Sequence, residues 1–129
     1  MKNLEQIRAK NAYEFVDNVV NGTFADFKTH AQKLPMMLRT NGLLATWAFL
    51  MGKDKGKDTL TALNAHLKQQ FNNIVAEQYD DTFKNWVGYK ENQQTPINPQ
   101  LTHDLLREIT AEAIEYSGWL KRATEARGE

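Results

Sequence analysis

Apolar side chains recur at helical spacing along the first third of the chain. The first apolar stripe comprises Leu4, Ile7, Ala12, Phe15, Val16 and Val19. Asn3 precedes this stripe as a suitable N-cap residue, and Asn21-Gly22 after it is a typical helix stop. The second stripe comprises Phe24, Phe27, Ala31, Leu34 and Leu38. Because apolar residues three or four positions apart share one face of a helix, two amphipathic helices are predicted here.

Pro35 lies inside the second stripe and either kinks that helix or begins a new one. The stripe keeps its phase across the proline, which favours the kink. Asn41-Gly42 then ends the segment, and Gly42 suits a left-handed C-cap. Residues 43–51 are apolar on all sides, so they predict a short helix in the centre of the core.

The middle of the chain predicts two further helices between polar segments. Residues 52–57 form an exposed loop by composition, and Asp58 after it is a candidate N-cap. The helix that follows carries Leu60, Leu63, Leu67 and Phe71. Asn72-Asn73 is expected to end it. The next helix is marked by Val75, Tyr79, Phe83, Trp86 and Val87.

The last part of the chain predicts a loop and one long helix. Residues 88–100 contain two prolines and few apolar residues, which is typical of a surface loop. Residues 101–126 then carry a stripe formed by Leu105, Ile109, Ala113, Tyr116, Leu120 and Ala123. No strand-like alternation persists anywhere. We therefore predict an all-α fold, a compact bundle of five to seven helices that forms a single domain over residues 1–129.

Composition narrows the classes of protein that this chain can represent. With 129 residues and 41% apolar side chains, one globular domain can bury a sufficient core. The absence of Cys removes disulfides, thiol nucleophiles and thiolate zinc sites. The longest apolar run is too short for a membrane span, and the first ten residues do not resemble a secretory signal. A cytoplasmic protein that does not contact a membrane is expected.

Sixteen basic residues balance sixteen acidic ones, but the charge is unevenly distributed. Residues 1–57 contain nine Lys/Arg and five Asp/Glu, a net charge of +4, which residues 58–129 offset. Six basic residues and a single acid, Asp54, fall between positions 28 and 57. Such polarity suits a face that meets phosphates. The candidate phosphate-contacting residues of this segment are Lys28, Lys33, Arg39, Lys53, Lys55 and Lys57.

No pattern of residues points to catalysis or to a metal ion. His30, His66 and His103 fall on different predicted helices, lack metal-ligand spacing and are interpreted as partly exposed. His103-Asp104 lacks the further ligands of a metal phosphohydrolase. The loop at residues 52–59 has the wrong spacing for a phosphate-binding loop. No enzyme, cofactor or metal site is predicted, and a nucleotide-hydrolysing enzyme is disfavoured.

The acid pairs and the aromatic residues are interpreted without a catalytic or base-stacking role. The acid pairs Glu108 with Glu112 and Asp80-Asp81 are expected on solvent-facing surfaces, outside any cleft that would separate their pKa values. The aromatic residues on or near the apolar stripes are expected to pack in the core, in preference to stacking on bases. They are Phe24, Phe27, Trp47, Trp86 and Trp119.

Three stretches of the sequence resemble a known family. They are residues 9–16 (AKNAYEFV), residues 31–50 with Ala31-Gln32-Lys33-Leu34-Pro35, Asn41-Gly42-Leu43 and Ala48-Phe49-Leu50, and residues 116–122 (YSGWLKR). Together they resemble the small subunit of the type III-B CRISPR effector, the Cmr complex. The resemblance covers roughly residues 5–60 and 101–126, whereas residues 72–100 match nothing recognisable.

The resemblance implies an all-helical, non-catalytic protein whose copies stack in a minor filament. That filament would lie beside the backbone subunits that hold the guide RNA, with the large subunit at one end. Its basic face would line the channel for target RNA, so the implied partners are these subunits, further copies of the chain, guide RNA and target RNA. Four basic residues fall within the matched stretches and are implied as RNA contacts, namely Lys33, Arg39, Lys121 and Arg122.

Two functional hypotheses remain at this point. In the first, the chain is a structural and RNA-binding subunit in antiviral defence. Its Lys and Arg side chains would neutralise phosphates while the guide RNA supplies the sequence by base pairing. In the second, it is a helical protein–protein adaptor without nucleic-acid contact, whose basic segment meets an acidic partner.

Overall fold

The computed structural model describes residues 3–88 and 101–128. These residues form six helices: α1 (Leu4–Asn18), α2 (Asn21–Asn41), α3 (Leu43–Met51), α4 (Lys57–Gln70), α5 (Tyr79–Val87) and α6 (His103–Arg127). The described ranges contain no strand. The prediction of an all-α fold with five to seven helices is therefore confirmed. The loop expected at residues 88–100 lies outside the described residues from position 89 onward.

Helix α6 is the centre of the bundle. It packs along both α1 and α2 and also contacts α4, while α3 and α5 pack on α4 and on each other. At its C-terminal end, Arg127 donates hydrogen bonds to the carbonyl oxygens of Val16 (2.8 Å) and Val19 (2.7 Å), and its guanidinium lies over the Phe24 ring. The end of α1 and the start of α2 are thereby tied to the end of α6.

The junction between α1 and α2 differs from the sequence prediction. Asn21-Gly22 was expected to end α1, but α1 ends at Asn18 and α2 begins at Asn21. Val19 and Val20 between them have extended backbone. Because Arg127 supplies hydrogen-bond donors to carbonyls at the end of α1, the backbone can leave the helix three residues early.

Other helix boundaries follow the predicted signals more closely. Asn3 caps α1 in a reciprocal capping box with Gln6, as predicted. Helix α2 continues through Pro35 to Asn41. Gly42 has the expected positive φ of 85°, although its ψ of 171° is not that of a left-handed helical residue. The two helices that meet there, α2 and α3, share Gly42 as their common cap.

Helix α4 begins one residue before the predicted cap. Gly56 occupies the N-cap position and Asp58 lies in the first turn, where its charge favours the positive end of the helix dipole. A Cβ atom at Gly56 would lie 2.8 Å from the carbonyl oxygen of Leu50, so the close approach of α3 requires glycine there. The prediction that Asp58 caps this helix was therefore wrong, because the close packing of α3 places Gly56 at the N-cap position.

Helix α5 begins four residues later than predicted, at Tyr79. Ile74 and Val75 are buried in the preceding turn. The Asn64 side chain holds this turn by donating to the carbonyl oxygens of Ala76 and Glu77, at 3.0 and 3.2 Å. A non-helical backbone is thus satisfied by a buried side chain from α4, which the apolar pattern alone does not reveal.

Four of the five aromatic residues that were predicted to lie in the core are buried. Phe24, Phe27, Trp47 and Trp86 are buried as expected, and the rings of the two tryptophans meet edge to face at 5.0 Å. Trp119 is only partly buried at the edge of the core. Helix α3 was expected to be buried on all sides, but its Phe49 is 48% exposed, because α3 lies at the edge of the bundle with one face toward solvent. No helix of the described chain has the length and apolar character to cross a membrane.

Candidate nucleic-acid interface

The basic residues of α2 lie on two different faces of that helix. Lys28 and Arg39 are eleven residues apart, about three turns and ~20°, so they share a face that we call the α2 basic flank. Lys33 points about 140° away from Lys28 and is exposed. Helical geometry thus assigns Lys28 and Arg39 to one surface and Lys33 to another.

The α2 basic flank is the side of α2 that borders α6. Asn21 lies about five full turns before Arg39 and therefore occupies the same angular position on α2. The Asn21 side chain accepts a hydrogen bond of 2.7 Å from Arg127 of α6. Lys28 is partly buried on this flank, while Arg39 is exposed near the end of the helix. The flank can therefore present two cations about 16 Å apart along one helix axis.

The loop of residues 52–56 and the start of α4 lie on the opposite side of α2. Lys55 forms an ion pair of 3.3 Å with Asp26, which is about 160° from Lys28 around the helix. Together with Lys57, it lines a cavity of about 350 Å³ that also contains the carboxylates of Asp26, Asp54 and Asp58. This surface is of mixed charge, whereas the sequence indicated a mainly basic segment with Asp54 as its single acid.

Two other basic side chains lie against aromatic rings. Lys53 Nζ lies 4.9 Å from the centre of the Phe49 ring. The Arg122 guanidinium lies 4.7 Å from the centre of the Trp119 ring. Lys121, although adjacent in sequence, points about 100° away from Arg122 around α6 and is exposed. The structure therefore distributes the eight predicted RNA-contacting residues over several surfaces.

A buried ionic network, which sequence reasoning missed, joins α1, α4 and α6. Arg8 donates two hydrogen bonds to the Glu112 carboxylate, through Nε at 2.8 Å and Nη2 at 2.6 Å. His66 Nε2 lies 2.8 Å from Oε2 of the same carboxylate. The side chains of Glu112 and Arg8 are 8% and 17% exposed, and that of His66 is fully buried. One carboxylate thus links three helices.

Two predictions are corrected by this network. Glu112 was expected on a solvent face and His66 was expected to be partly exposed, but both are buried. Glu112 lies three residues after Ile109 and four before Tyr116, and His66 lies three after Leu63. Both positions are therefore in phase with the apolar stripes, a signal that could have identified them. Their polar character is tolerated because each side chain has a buried partner.

The hydrogen bonds of His66 define its tautomer. Asn11 Nδ2 donates to His66 Nδ1 at 2.9 Å and to Gln69 Oε1 at 2.6 Å. Nδ1 is therefore an acceptor, and Nε2–H donates to Glu112. The Tyr116 ring stacks on the imidazole at 4.1 Å, and burial raises the pKa of this phenol. His66 is thus held neutral and oriented on both edges and one face.

The pKa values of the network follow from burial and charge. Burial lowers the pKa of His66 below its ordinary value, and the hydrogen bond to Glu112 opposes this effect only in part. Burial raises the pKa of Glu112, but the hydrogen bonds from Arg8 and His66 outweigh it, so that the pKa lies below its ordinary value. The hydrogen bond with Glu112 in turn raises the pKa of Arg8. Near neutral pH the network is a carboxylate, a guanidinium and a neutral imidazole.

These shifts predict that acid destabilises the protein in two ranges. Below about pH 6.5, His66 is protonated more readily in the unfolded chain than in the folded protein. The free energy of unfolding therefore decreases as the pH is lowered. The contribution of Glu112 is present above its unfolded pKa and is lost as pH falls further, through its lowered folded pKa. Urea unfolding of the wild type and of His66→Gln between pH 8 and pH 5 measures the first effect.

The histidine substitution is the informative comparison for this pH dependence. His66→Gln is expected to flatten the decline between pH 7 and pH 5, and His103→Gln, which replaces a histidine at an exposed position, is the matched control. An equally steep decline in both variants would contradict the assignment to His66.

Among residues 3–88 and 101–128, no group of three His, Asp or Glu side chains is placed to hold a metal ion.

Comparison with known proteins adds an independent finding. A family model described as CRISPR-associated protein (Cas_Cmr5) matches residues 4–127. Among solved structures, the fold is similar to the X-ray crystal structure of a CRISPR-associated Cmr5 family protein from Thermus thermophilus. That likeness has a TM-score of 0.71 and 24% sequence identity over 100% of both chains, and it establishes the fold alone. No protein with a curated description matches the sequence.

Proposed function

Because the chain belongs to the Cmr5 family of CRISPR-associated proteins, we propose that it is the small subunit of a type III-B CRISPR effector, the Cmr complex. The observation that carries this proposal is the family match over residues 4–127, which confirms the resemblance found in three separate stretches. The match also spans residues 72–100, in which the sequence alone showed no recognisable resemblance to the family. In this role the subunit is structural, stacks with further copies in a filament, and performs no catalytic step.

The α2 basic flank is the proposed contact with target or guide RNA. Lys28 and Arg39 share one face of a rigid helix, so they can neutralise phosphates of one extended strand. Phosphate contacts position the strand but carry no sequence information, which the guide RNA supplies by pairing. A small subunit with such a face can therefore serve any target sequence.

The double variant Lys28→Glu/Arg39→Glu tests the RNA contact in the assembled complex. We expect weaker binding of target RNA and a shallower dependence of log affinity on log salt concentration. The slope should change by roughly 1.4, which is ~0.7 for each lost single-strand phosphate contact. Stability is expected to change little, because neither residue belongs to the buried stripe of α2.

A matched control reverses the same amount of charge on the other side of α2. Lys53→Glu/Lys55→Glu is expected to leave the salt slope nearly unchanged, because Asp26, Asp54 and Asp58 lie on the same surface and repel phosphates. A normal slope in the Lys28/Arg39 variant would instead leave the Lys53–Lys57 segment and Lys121-Arg122 as the RNA candidates. If that variant melts normally but no longer enters the complex, the flank contacts a protein partner, as in the adaptor hypothesis.

A further inference from the structure

Trp119 differs in its surroundings from the other two tryptophans of the chain. Trp47 is fully buried and Trp86 is 6% exposed, whereas Trp119 is only partly buried. Its ring packs against the edge of the core and lines a surface cavity of about 240 Å³. The first turns of α1 form the rest of this cavity, through Asn3, Glu5, Gln6 and Ala9. An aromatic ring is thus accessible where α6 meets the start of α1.

Arg122 lies over this ring without a carboxylate partner. Its guanidinium carbon is 4.7 Å from the centre of the Trp119 ring, and the described ranges of the chain contain no ion pair to it. A guanidinium held over an aromatic face is preorganised, and its outward N–H groups match the oxygens of a phosphate. The pair therefore combines a stacking surface with a phosphate donor.

We propose that Trp119 and Arg122 form a binding site for one unpaired nucleotide of single-stranded RNA. The base stacks on the part of the Trp119 ring that lines the cavity, and the adjoining phosphate bonds to Arg122. This inference rests on the proposed function and adds a second kind of contact to it. Glu5 in the cavity repels a phosphate, so the backbone of the RNA lies on the Arg122 side. Stacking accepts any base, which suits a subunit that meets any target.

Tryptophan fluorescence of the isolated full-length chain provides the test. A short oligouridylate is expected to quench the emission of Trp119, while Trp47 and Trp86 are shielded by burial. In Trp119→Phe the quenching should disappear, although the labelled RNA still binds. In Trp119→Leu and in Arg122→Gln the affinity measured by anisotropy of labelled RNA should fall at least about fivefold, whereas Lys121→Gln, which removes the same charge one residue away, should have a smaller effect.

Two probes distinguish base stacking from simple attraction of negative charge. An abasic oligonucleotide of equal length should bind more weakly and quench little, and polyglutamate should do neither. Equal quenching by the abasic strand or by polyglutamate would overturn the proposal and would instead indicate a site for an acidic protein surface. Thermal melting of each variant confirms that it is folded, and Trp119→Phe keeps the test valid if Trp119→Leu is not.

The failure of this inference can be separated from the failure of the proposed function. RNA binding that depends on Lys28 and Arg39 but leaves Trp119 emission unchanged would overturn the nucleotide site alone. No binding of RNA to the wild-type chain at low salt, by either readout, would overturn the nucleotide site, whereas the proposed RNA contact is overturned by an unchanged salt slope of the Lys28→Glu/Arg39→Glu variant in the assembled complex. Quenching that persists in Lys28→Glu/Arg39→Glu with weakened affinity supports two separate contacts on one strand.

Discussion

Glu112→Ala is expected to destabilise the protein by about 3–5 kcal/mol, because it removes the carboxylate that joins Arg8 to His66 in the network. Arg8 would lose two short hydrogen bonds, and the Nε2–H group of His66 would remain buried without an acceptor. Breaking a buried ion pair from one side costs more than the pair contributes, since the remaining charge has lost its partner. Chemical denaturation at pH 7 measures the loss.

Glu108→Ala is the matched control for this substitution. Glu108 lies one turn earlier on α6 and is exposed, so its replacement should change the free energy of unfolding by less than about 0.5 kcal/mol. A double-mutant cycle with Arg8→Ala should give a substantial coupling energy between Arg8 and Glu112. Equal stabilities of the Glu108 and Glu112 variants would mean that the network does not hold the three helices together.

Trp47→Ala is expected to cost about 3–5 kcal/mol through the cavity that it leaves in the core. The side chain is fully buried, and its ring meets Trp86 of α5 edge to face. Its Nε1–H group also donates to the carbonyl oxygen of Tyr79, at 3.0 Å, where α5 begins. The substitution therefore removes a packing contact and a buried hydrogen bond that both hold α5 against α3.

Phe49→Ala on the same helix separates core packing from helix propensity. Phe49 is 48% exposed, so its loss should have a much smaller effect than that of Trp47. Hydrogen exchange should also show faster exchange in α5 for Trp47→Ala than for Phe49→Ala, because the Trp47 side chain is bonded to that helix and packed on it. Similar melting temperatures and similar exchange in the two variants would contradict the anchoring role of Trp47.

The apolar pattern was sufficient to predict the helices that have a continuous stripe of core residues. The stripe from Phe24 to Leu38 was found buried at every predicted position, and α6 was recovered to within two residues at its start. Such stripes report which face of a helix avoids water, and this requirement is local to each helix. The candidate RNA residues were less well determined, because helical spacing places Lys28 and Arg39 on one face of α2 without saying which distant segments pack beside that face.

The tertiary structure decided the features that depend on partners distant in sequence. The early end of α1 depends on Arg127, more than a hundred residues away, and the turn before α5 depends on Asn64 of α4. Glu112 lies in phase with the apolar stripe of α6, but only the placement of Arg8 and His66 beside it explains how a carboxylate can be buried there.

The sequence by itself determined the helical class, the approximate helices and the family, since periodicity and local motifs are properties of neighbouring residues. Only the tertiary structure decided that Lys55 pairs with Asp26, on the side of α2 opposite Lys28 and Arg39, and that Arg122 lies over Trp119. The physical reason is that a buried charge or a shared surface exists only after distant segments have packed together.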